Sequence, residues 1–254
     1  MVSGFESFRE HFKGYEDCYT IIGGTACDIL MSEAALPFRA TKDVDMILLI
    51  ENRFEEFGAL FWDYIHAGGY TCGWRNSELP HFYRFTQPEK ENFPVMIELF
   101  SRRPDFQLNH HEIHLTPLPV SDEISSLSAI MLDDDYYALM LSGRRVVEGV
   151  SVLDAEHLIL FKAKAWLELT QKKADGVHVN SDDVKKHKND VFRLFALVEP
   201  EKRIRLPEAV AADMRAFLEA MSQQTIDLRN FGIQGITQEE ILESLRTVYL
   251  LREP

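Results

Sequence analysis

The sequence predicts an α+β protein in which a mixed β-sheet with flanking helices is followed by a C-terminal helical domain. Up to about residue 150, short apolar segments bounded by glycine or proline alternate with amphipathic helical segments. From about Asp154 onward the pattern is helical only. The hydrophobic fraction of 46% in 254 residues is that of an ordinary globular chain. We therefore predict two domains, at residues 1–150 and 151–254.

The elements of the first domain follow from these patterns in chain order. An aromatic stripe of Phe5, Phe8, Phe12 and Tyr15 predicts that the first 18 residues form a helix. Thr25 follows a glycine pair and is a natural N-cap for the second helix. The predicted strands are residues 18–22, 43–50, 81–87, 95–100, 113–118 and 127–132, and the further predicted helices are residues 25–35, 51–66 and 133–141, the last of which leaves a strand open as the alternative.

The second domain is predicted as four helices. Ser181 opens one of them, with Asp182 and Asp183 in its first turn, where acidic groups favour a helix start. The predicted helices are residues 156–170, 181–198, 207–222 and 237–250.

Composition and charge narrow the classes of function. No run of 18 apolar residues occurs, which argues against a membrane span and a membrane partner. The first 18 residues carry acids and lack an apolar stretch, so they resemble neither a signal peptide nor a presequence, and we expect a cytoplasmic protein. The net charge of −14 disfavours broad, non-specific nucleic-acid binding.

A pair of acids opens the predicted strand at residues 43–50. Residues two apart on a strand face the same side, so Asp43 and Asp45 project together while Val44 faces the core. Two such carboxylates attract a divalent cation, and Glu98, an isolated acid in the strand 95–100, can complete a three-carboxylate site if the strands are neighbours. Oxygen ligands favour Mg²⁺, with Mn²⁺ as an alternative. The alternatives are a turn-facing acid pair and a sheet-edge acid.

The glycine pair supplies the other half of a site. A strand, then Gly23, Gly24 and Thr25, then a helix brings main-chain N–H groups and a positive helix end to one place. That arrangement binds phosphate. A metal held by carboxylates beside a phosphate site predicts phosphoryl or nucleotidyl transfer.

The segment "GGTACDILMSEAALPFRATKDVD" resembles the active-site signature of the DNA polymerase beta-like nucleotidyltransferase superfamily: glycine pair, helix, D-x-D and a third acid. Its form is more similar to the AbiEii-type branch, the nucleotidyltransferases of abortive-infection and toxin–antitoxin systems. The resemblance covers residues 19–197 in patches. It implies a nucleotidyltransferase-like fold, an antitoxin partner and a triphosphate contact by Arg39, with Thr41 beside it just ahead of the acids. The alternative for Arg39 is a loop arginine that pairs with a surface acid.

The resemblance also implies a contribution from the helical half. The segments "AEHLILFKAKAWLEL" and "KHKNDVFRL" place Lys162 and Asp190 at the family's lysine and aspartate positions. The family often has a second acid three residues later, where this chain has Arg193. The alternative for Lys162 and Asp190 is a salt bridge between two helices.

The sequence is compatible with two functions. The first is an Mg²⁺-dependent nucleotidyltransferase that moves a nucleoside monophosphate from an NTP to a hydroxyl of RNA, a protein or a small molecule, as the toxin of a toxin–antitoxin pair. The second is a catalytically silent module on the same fold that binds a nucleotide or a partner protein. The intact Asp43 and Asp45 favour the enzyme.

Overall fold

The fold is α+β, as the sequence predicts. The computed structural model describes residues 2–49, 53–74, 82–100, 116–117, 130 and 133–251. In these residues, mixed strands and flanking helices come first along the chain, and the last hundred residues are helical.

The strands join in a single mixed sheet of the described residues. Its order is β6-β3-β4-β5-β2-β1-β8-β7. Strand β2 pairs antiparallel with β1 and parallel with β5, and β1 pairs parallel with β8. The strands are Tyr19–Ile22 (β1), Asp43–Leu48 (β2), Thr71–Trp74 (β3), Phe82–Thr86 (β4), Met96–Phe100 (β5), Thr116–Pro117 (β6), Arg144–Val147 (β7) and Val150–Leu153 (β8).

The described part of the chain contains eight α-helices and a short 3₁₀-helix at Leu228–Phe231. Among these residues no helix is both long enough and apolar enough to cross a lipid bilayer. The α-helices are Phe5–His11 (α1), Gly23–Glu33 (α2), Phe54–Gly68 (α3), Asp134–Ser142 (α4), Ala155–Ala174 (α5), Ser181–Phe195 (α6), Glu208–Ser222 (α7) and Gln238–Val248 (α8).

The chain divides into two compact units. The first comprises residues 1–121 and 143–154, and the second comprises residues 122–142 and 155–254. The sequence predicts a single boundary after residue 150. In the structure, helix α4 instead belongs to the second unit and the β7–β8 hairpin to the first. The parallel pairing of β8 with β1, with Val152 opposite Ile21, explains why the hairpin belongs with the sheet.

Most predicted elements are present with shifted bounds. The first helix is shorter than predicted, and residues 134–142 are helical rather than extended. Of the predicted strands 113–118 and 127–132, only residues 116–117 and 130 are among the described residues. The former pair is strand β6, and residue 130 is helical. The patterns do not predict β3, β7 and β8, because four-residue strands are too short to show a period.

An aromatic core supports the sheet in the first unit. Three members of the predicted stripe, Phe5, Phe8 and Phe12, are buried there, and Phe8 and Phe12 are both 0% exposed. The Phe12 ring packs 5.6 Å from that of Phe57 and 6.0 Å from that of Phe61, both on α3. Phe8 also meets Tyr19 edge-to-face, which fixes β1 against the helices.

Candidate functional site

The chain turns directly from strand β1 into helix α2 at the glycine pair. Ile22 ends the strand, and Gly23 begins the helix with φ of +67°. Glycine adopts this left-handed conformation without the cost that a Cβ atom imposes. The helix therefore begins two residues before the predicted start, and Thr25 is not its N-cap. Instead, the Thr25 hydroxyl donates a hydrogen bond to the main-chain oxygen of Asp43, which ties α2 to the start of β2.

Gly23 lies against the Asp45 carboxylate. Asp45 is the register partner of Ile22 across the antiparallel β1–β2 pair, so it stands beside the turn. A Cβ atom on Gly23 would overlap the Asp45 carboxylate and lie 2.8 Å from its Cγ. The position therefore requires glycine for two independent reasons, the left-handed φ and the close approach of an acid.

Gly24 lies against the two residues that precede the acids. A Cβ atom there would be 2.8 Å from Thr41 Cγ2 and 3.4 Å from Arg39 Nη2. The Thr41 hydroxyl is buried, and the described residues provide it with no hydrogen-bond partner. The structure thus brings the predicted nucleotide-binding residues Arg39 and Thr41 to the glycine turn, from positions 15 to 18 residues away in sequence.

The three predicted acids converge on two neighbouring strands. Asp43 and Asp45 are half-buried on one face of β2, and Val44 between them is 0% exposed on the other. In the parallel β2–β5 pair, Asp45 stands opposite Glu98 and Asp43 opposite Met96. Because register partners point to the same side of a sheet, Glu98 lies on the face that carries both aspartates.

Glu98 is buried among charges of both signs. It is 6% exposed, and this burial raises the pKa of its carboxyl. The negative charge of Asp43 acts in the same direction, whereas the guanidinium of Arg84 and a hydrogen bond with Asp45 oppose the rise in pKa. Burial and the charge of Asp43 therefore favour the neutral form of Glu98, whereas Arg84 and Asp45 favour its charged form.

Arg84 joins Asp43, Asp45 and Glu98 in one cluster of charged side chains. The sequence analysis does not predict it as a site residue. It is the register partner of Glu98 in the antiparallel β4–β5 pair. Its Nη2 lies 2.6 Å from Glu98 Oε1, and its Nε donates to the same oxygen at 2.8 Å. Arg84, Glu98 and Asp45 therefore form one row across three adjacent strands. The signal in the sequence is a single arginine in the aromatic strand "HFYRFT", but only the strand order identifies its partner.

The donor set suits a hard divalent cation. Asp43 and Asp45 offer oxygen ligands from one strand face, which is the chemistry that Mg²⁺ and Mn²⁺ prefer. Within the described ranges, no group of three or more His, Cys, Asp or Glu side chains is arranged to hold a metal ion. Mg²⁺ is commonly bound by one or two carboxylates together with substrate phosphates, so the two aspartates fit it without a third protein ligand.

The other two predicted site residues form a buried ion pair in the second unit. Lys162 on α5 lies with its Nζ 3.2 Å from Asp190 Oδ2 on α6, and their side chains are 5% and 0% exposed. Arg193 Nη1 approaches the other carboxylate oxygen of Asp190, also at 3.2 Å. Arg193 thus supplies a second cation to Asp190. The helix–helix salt bridge is present, and a catalytic role for the pair stays a prediction.

Comparisons with known proteins add a structural similarity. The chain matches no model of a known protein family and no curated protein. Among solved structures it is similar to one described as an antigenic nucleotidyltransferase-like protein from Paracoccidioides brasiliensis. The identity is 15%, the similarity covers 91% of this chain and 85% of that one, and the TM-score is 0.46. At this level the similarity carries no argument about function.

Proposed function

We propose that this protein is an Mg²⁺-dependent nucleotidyltransferase that moves a nucleoside monophosphate from an NTP to a hydroxyl acceptor. The observation that carries the proposal is the convergence of Asp43, Asp45 and Glu98 beside a strand–glycine–helix turn. The carboxylate of Asp45 packs directly on Gly23. An acid pair or a glycine turn alone is common in proteins, whereas their contact supports a site for a metal-bound triphosphate.

The residues of the turn would bind the phosphates. The first main-chain N–H groups of α2 have no partner within the helix and carry the positive end of its dipole, which favours an anion. The absence of a side chain at Gly24 leaves space for close approach, and the buried Thr41 hydroxyl and the Arg39 guanidinium lie next to it. Asp43 and Asp45 would hold the divalent ion, which when bound supplies charge neutralisation at the reacting phosphate.

The acceptor and the biological role are proposed from the sequence resemblance. The similarity to the AbiEii-type branch leads us to propose a toxin that modifies RNA, a protein or a small molecule and is paired with an antitoxin protein. Expression of such a toxin in a bacterial host is expected to arrest growth. The Asp43→Asn variant is expected to leave growth unchanged at the same protein level. Growth arrest by both forms would separate toxicity from nucleotidyl transfer.

Metal binding tests the proposal without knowledge of the acceptor. Isothermal titration of the full chain with Mn²⁺ is expected to show binding that is lost in the Asp43→Asn/Asp45→Asn double variant, because two negative charges are removed. Circular dichroism should show an unchanged fold. Pyrophosphate release from each NTP with Mg²⁺ then reports transfer. Equal Mn²⁺ affinity in the two proteins would rule out the proposed site.

One observation favours the second candidate, a nucleotide-binding module without turnover. Arg84 already engages the third acid, Glu98, through two donors. A thermal-shift series with each NTP, with and without Mg²⁺, distinguishes the two candidates when it is followed by the pyrophosphate assay in the presence of cell extract as a source of acceptors. Stabilisation by an NTP without pyrophosphate release would support the module.

A further inference from the structure

Arg84 introduces a positive charge into a row of acids. Its Nη2 and Nε both contact Oε1 of Glu98. Both side chains are largely withdrawn from water, with 18% of Arg84 and 8% of Glu98 exposed. Charge-assisted hydrogen bonds in such surroundings are strong and fix both groups in one geometry. A buried carboxylate without this partner would be costly.

The charges of the cluster match one divalent ion. Asp43, Asp45 and Glu98 carry three carboxylates, and Arg84 offsets one of them, which leaves two negative charges on the face of β2. Glu98 is also the register partner of Asp45 in the β2–β5 pair, so the two carboxylates lie side by side on one face of the sheet. Arg84 therefore acts on the aspartate pair through Glu98.

We infer that Arg84 is the built-in counter-charge of Glu98, so that Asp43 and Asp45 alone hold the divalent ion and Glu98 positions Asp45 instead of binding metal. This inference rests on the metal site of the proposed function and assigns roles to two residues within it. Arg84 and Glu98 are positioning residues in this arrangement, since neither is needed as a ligand.

The charge balance among Arg84, Glu98 and the two aspartates sets the direction of each change in Mn²⁺ affinity. Removal of Arg84 alone leaves Glu98 uncompensated near the ion, so Arg84→Met is expected to raise the Mn²⁺ association constant by about tenfold. Removal of the Glu98 charge alone leaves Arg84 uncompensated, so Glu98→Gln is expected to lower it by about tenfold. Removal of both restores the original charge balance, so the double variant is expected to bind Mn²⁺ within about threefold of the wild-type protein.

The double variant separates this inference from the view that Glu98 is a metal ligand. A ligand cannot be restored by removal of a neighbouring charge, so under that view Arg84→Met/Glu98→Gln would stay about tenfold or more weaker than the wild-type protein. The double variant is also the one expected to fold, because replacement of both members of a buried ion pair is commonly tolerated. If Arg84→Met by itself does not fold, the Mn²⁺ affinity of the double variant still tests the inference.

The experiment is a titration of the full chain with MnCl₂, in which electron paramagnetic resonance measures the free ion and circular dichroism checks the fold. Arg145→Met is the matched control. Arg145 pairs with Glu33 at 2.8 Å in the same unit, but both side chains are more than 40% exposed. Its removal changes the net charge equally and is expected to change Mn²⁺ affinity less than twofold.

Each result supports or overturns a named claim about the metal site. Restored affinity in the double variant, with opposite shifts in the two single variants, supports the inference. A weak double variant, or an Arg84→Met variant that binds Mn²⁺ no better than the wild-type protein, overturns it and leaves the proposed function standing. Wild-type Mn²⁺ affinity in Asp43→Asn/Asp45→Asn would instead refute the metal site itself.

Discussion

At the scale of single residues, Gly23 combines an unusual backbone conformation with contact to an acid. Gly23→Ala would place a methyl group within the Asp45 carboxylate, and the overlap is relieved only by movement of that carboxylate. We expect this variant to lose about 1–2 kcal/mol of stability from the left-handed φ. We also expect it to bind Mn²⁺ about tenfold more weakly, because Asp45 leaves its position. Urea denaturation and Mn²⁺ titration measure the two effects.

Gly149 provides the matched control for Gly23. It has φ of +77°, and a Cβ atom there would meet nothing within 4 Å. Gly149→Ala should therefore show a similar loss of stability with unchanged Mn²⁺ affinity. If the two alanine variants bind Mn²⁺ equally well, the contact between Gly23 and Asp45 has no part in metal binding.

Lys162 forms a buried ion pair with Asp190, and this burial determines the effect of its removal on stability. Removal of one member of a buried ion pair leaves an uncompensated charge and costs about 3–5 kcal/mol. Because Arg193 also contacts Asp190, we expect Lys162→Met to lie at the lower end, at about 3 kcal/mol. The sequence alone does not give this cost, since it cannot show that the Asp190 side chain is 0% exposed. Denaturant unfolding measures the difference.

Lys164, two residues along the same helix, is the control for Lys162. It pairs with Asp213 at 3.0 Å, and both side chains are one quarter exposed. Lys164→Met should cost about 1 kcal/mol or less. A catalytic role of Lys162 would appear as a loss of transfer by about two orders of magnitude in protein that remains folded. Equal rates per folded molecule for the two variants would make Lys162 structural only.

At the scale of elements, helix α8 begins at a capping box formed by Thr237 and Glu240. The Thr237 hydroxyl accepts a hydrogen bond from the N–H of Glu240, and the Glu240 carboxylate accepts one from the N–H of Thr237. We expect Thr237→Ala to lower the melting temperature by about 2–4 °C at pH 7. Thr247→Ala on the same helix should have a smaller effect, because the Thr247 hydroxyl bonds only to a carbonyl one turn earlier.

The capping box also predicts a pH dependence. Its hydrogen bonds to Thr237, first through the main-chain N–H, lower the pKa of Glu240 from its ordinary value of 4.5. A carboxyl whose pKa is lowered in the folded protein contributes stability that is present above its ordinary pKa and is lost as the pH falls through the lowered value. The gap in melting temperature between the wild-type protein and Glu240→Ala, which lacks the titrating carboxyl, should therefore be full at pH 7 and shrink below about pH 4. A constant gap would contradict this account.

At the scale of the whole molecule, the chain passes between its two units more than once. Helix α4 belongs to the second unit, whereas the β7–β8 hairpin that follows it belongs to the first. Proteins open in cooperative units, so a variant that weakens one unit should raise exchange of its amides selectively. In Lys162→Met we expect the amides of α4 to exchange about tenfold faster or more.

The amides of β7 and β8 in the same variant should exchange at the wild-type rate. Hydrogen exchange with peptide-level mass spectrometry measures both segments in one sample. A single boundary after residue 150 would instead leave α4 and most of the hairpin unchanged together, because all of them would then belong to the first domain. Faster exchange of the hairpin would show that it opens with the second unit.

The sequence by itself determined the features that depend on neighbours along the chain. The apolar runs predict β1, β2 and β5, because a run of apolar residues is a property of neighbours along the chain. The order of strand, glycine pair, helix and D-x-D predicts the site for the same reason. Asp43 and Asp45 share a face by the geometry of one strand, and Gly23 signals a conformation that other residues rarely adopt.

Tertiary structure decided which residues meet across the chain. The period of a strand fixes the face on which Glu98 lies, but it does not identify the residues beside Glu98 on the adjacent strands. Its pairing with Asp45 and Arg84 follows only from the order of β4, β5 and β2. The partner of Lys162 likewise depends on the packing of two helices, with its Nζ lying 3.2 Å from Asp190 Oδ2. Sequence periodicity specifies direction within an element, whereas the charge that compensates a buried acid is set by packing between elements.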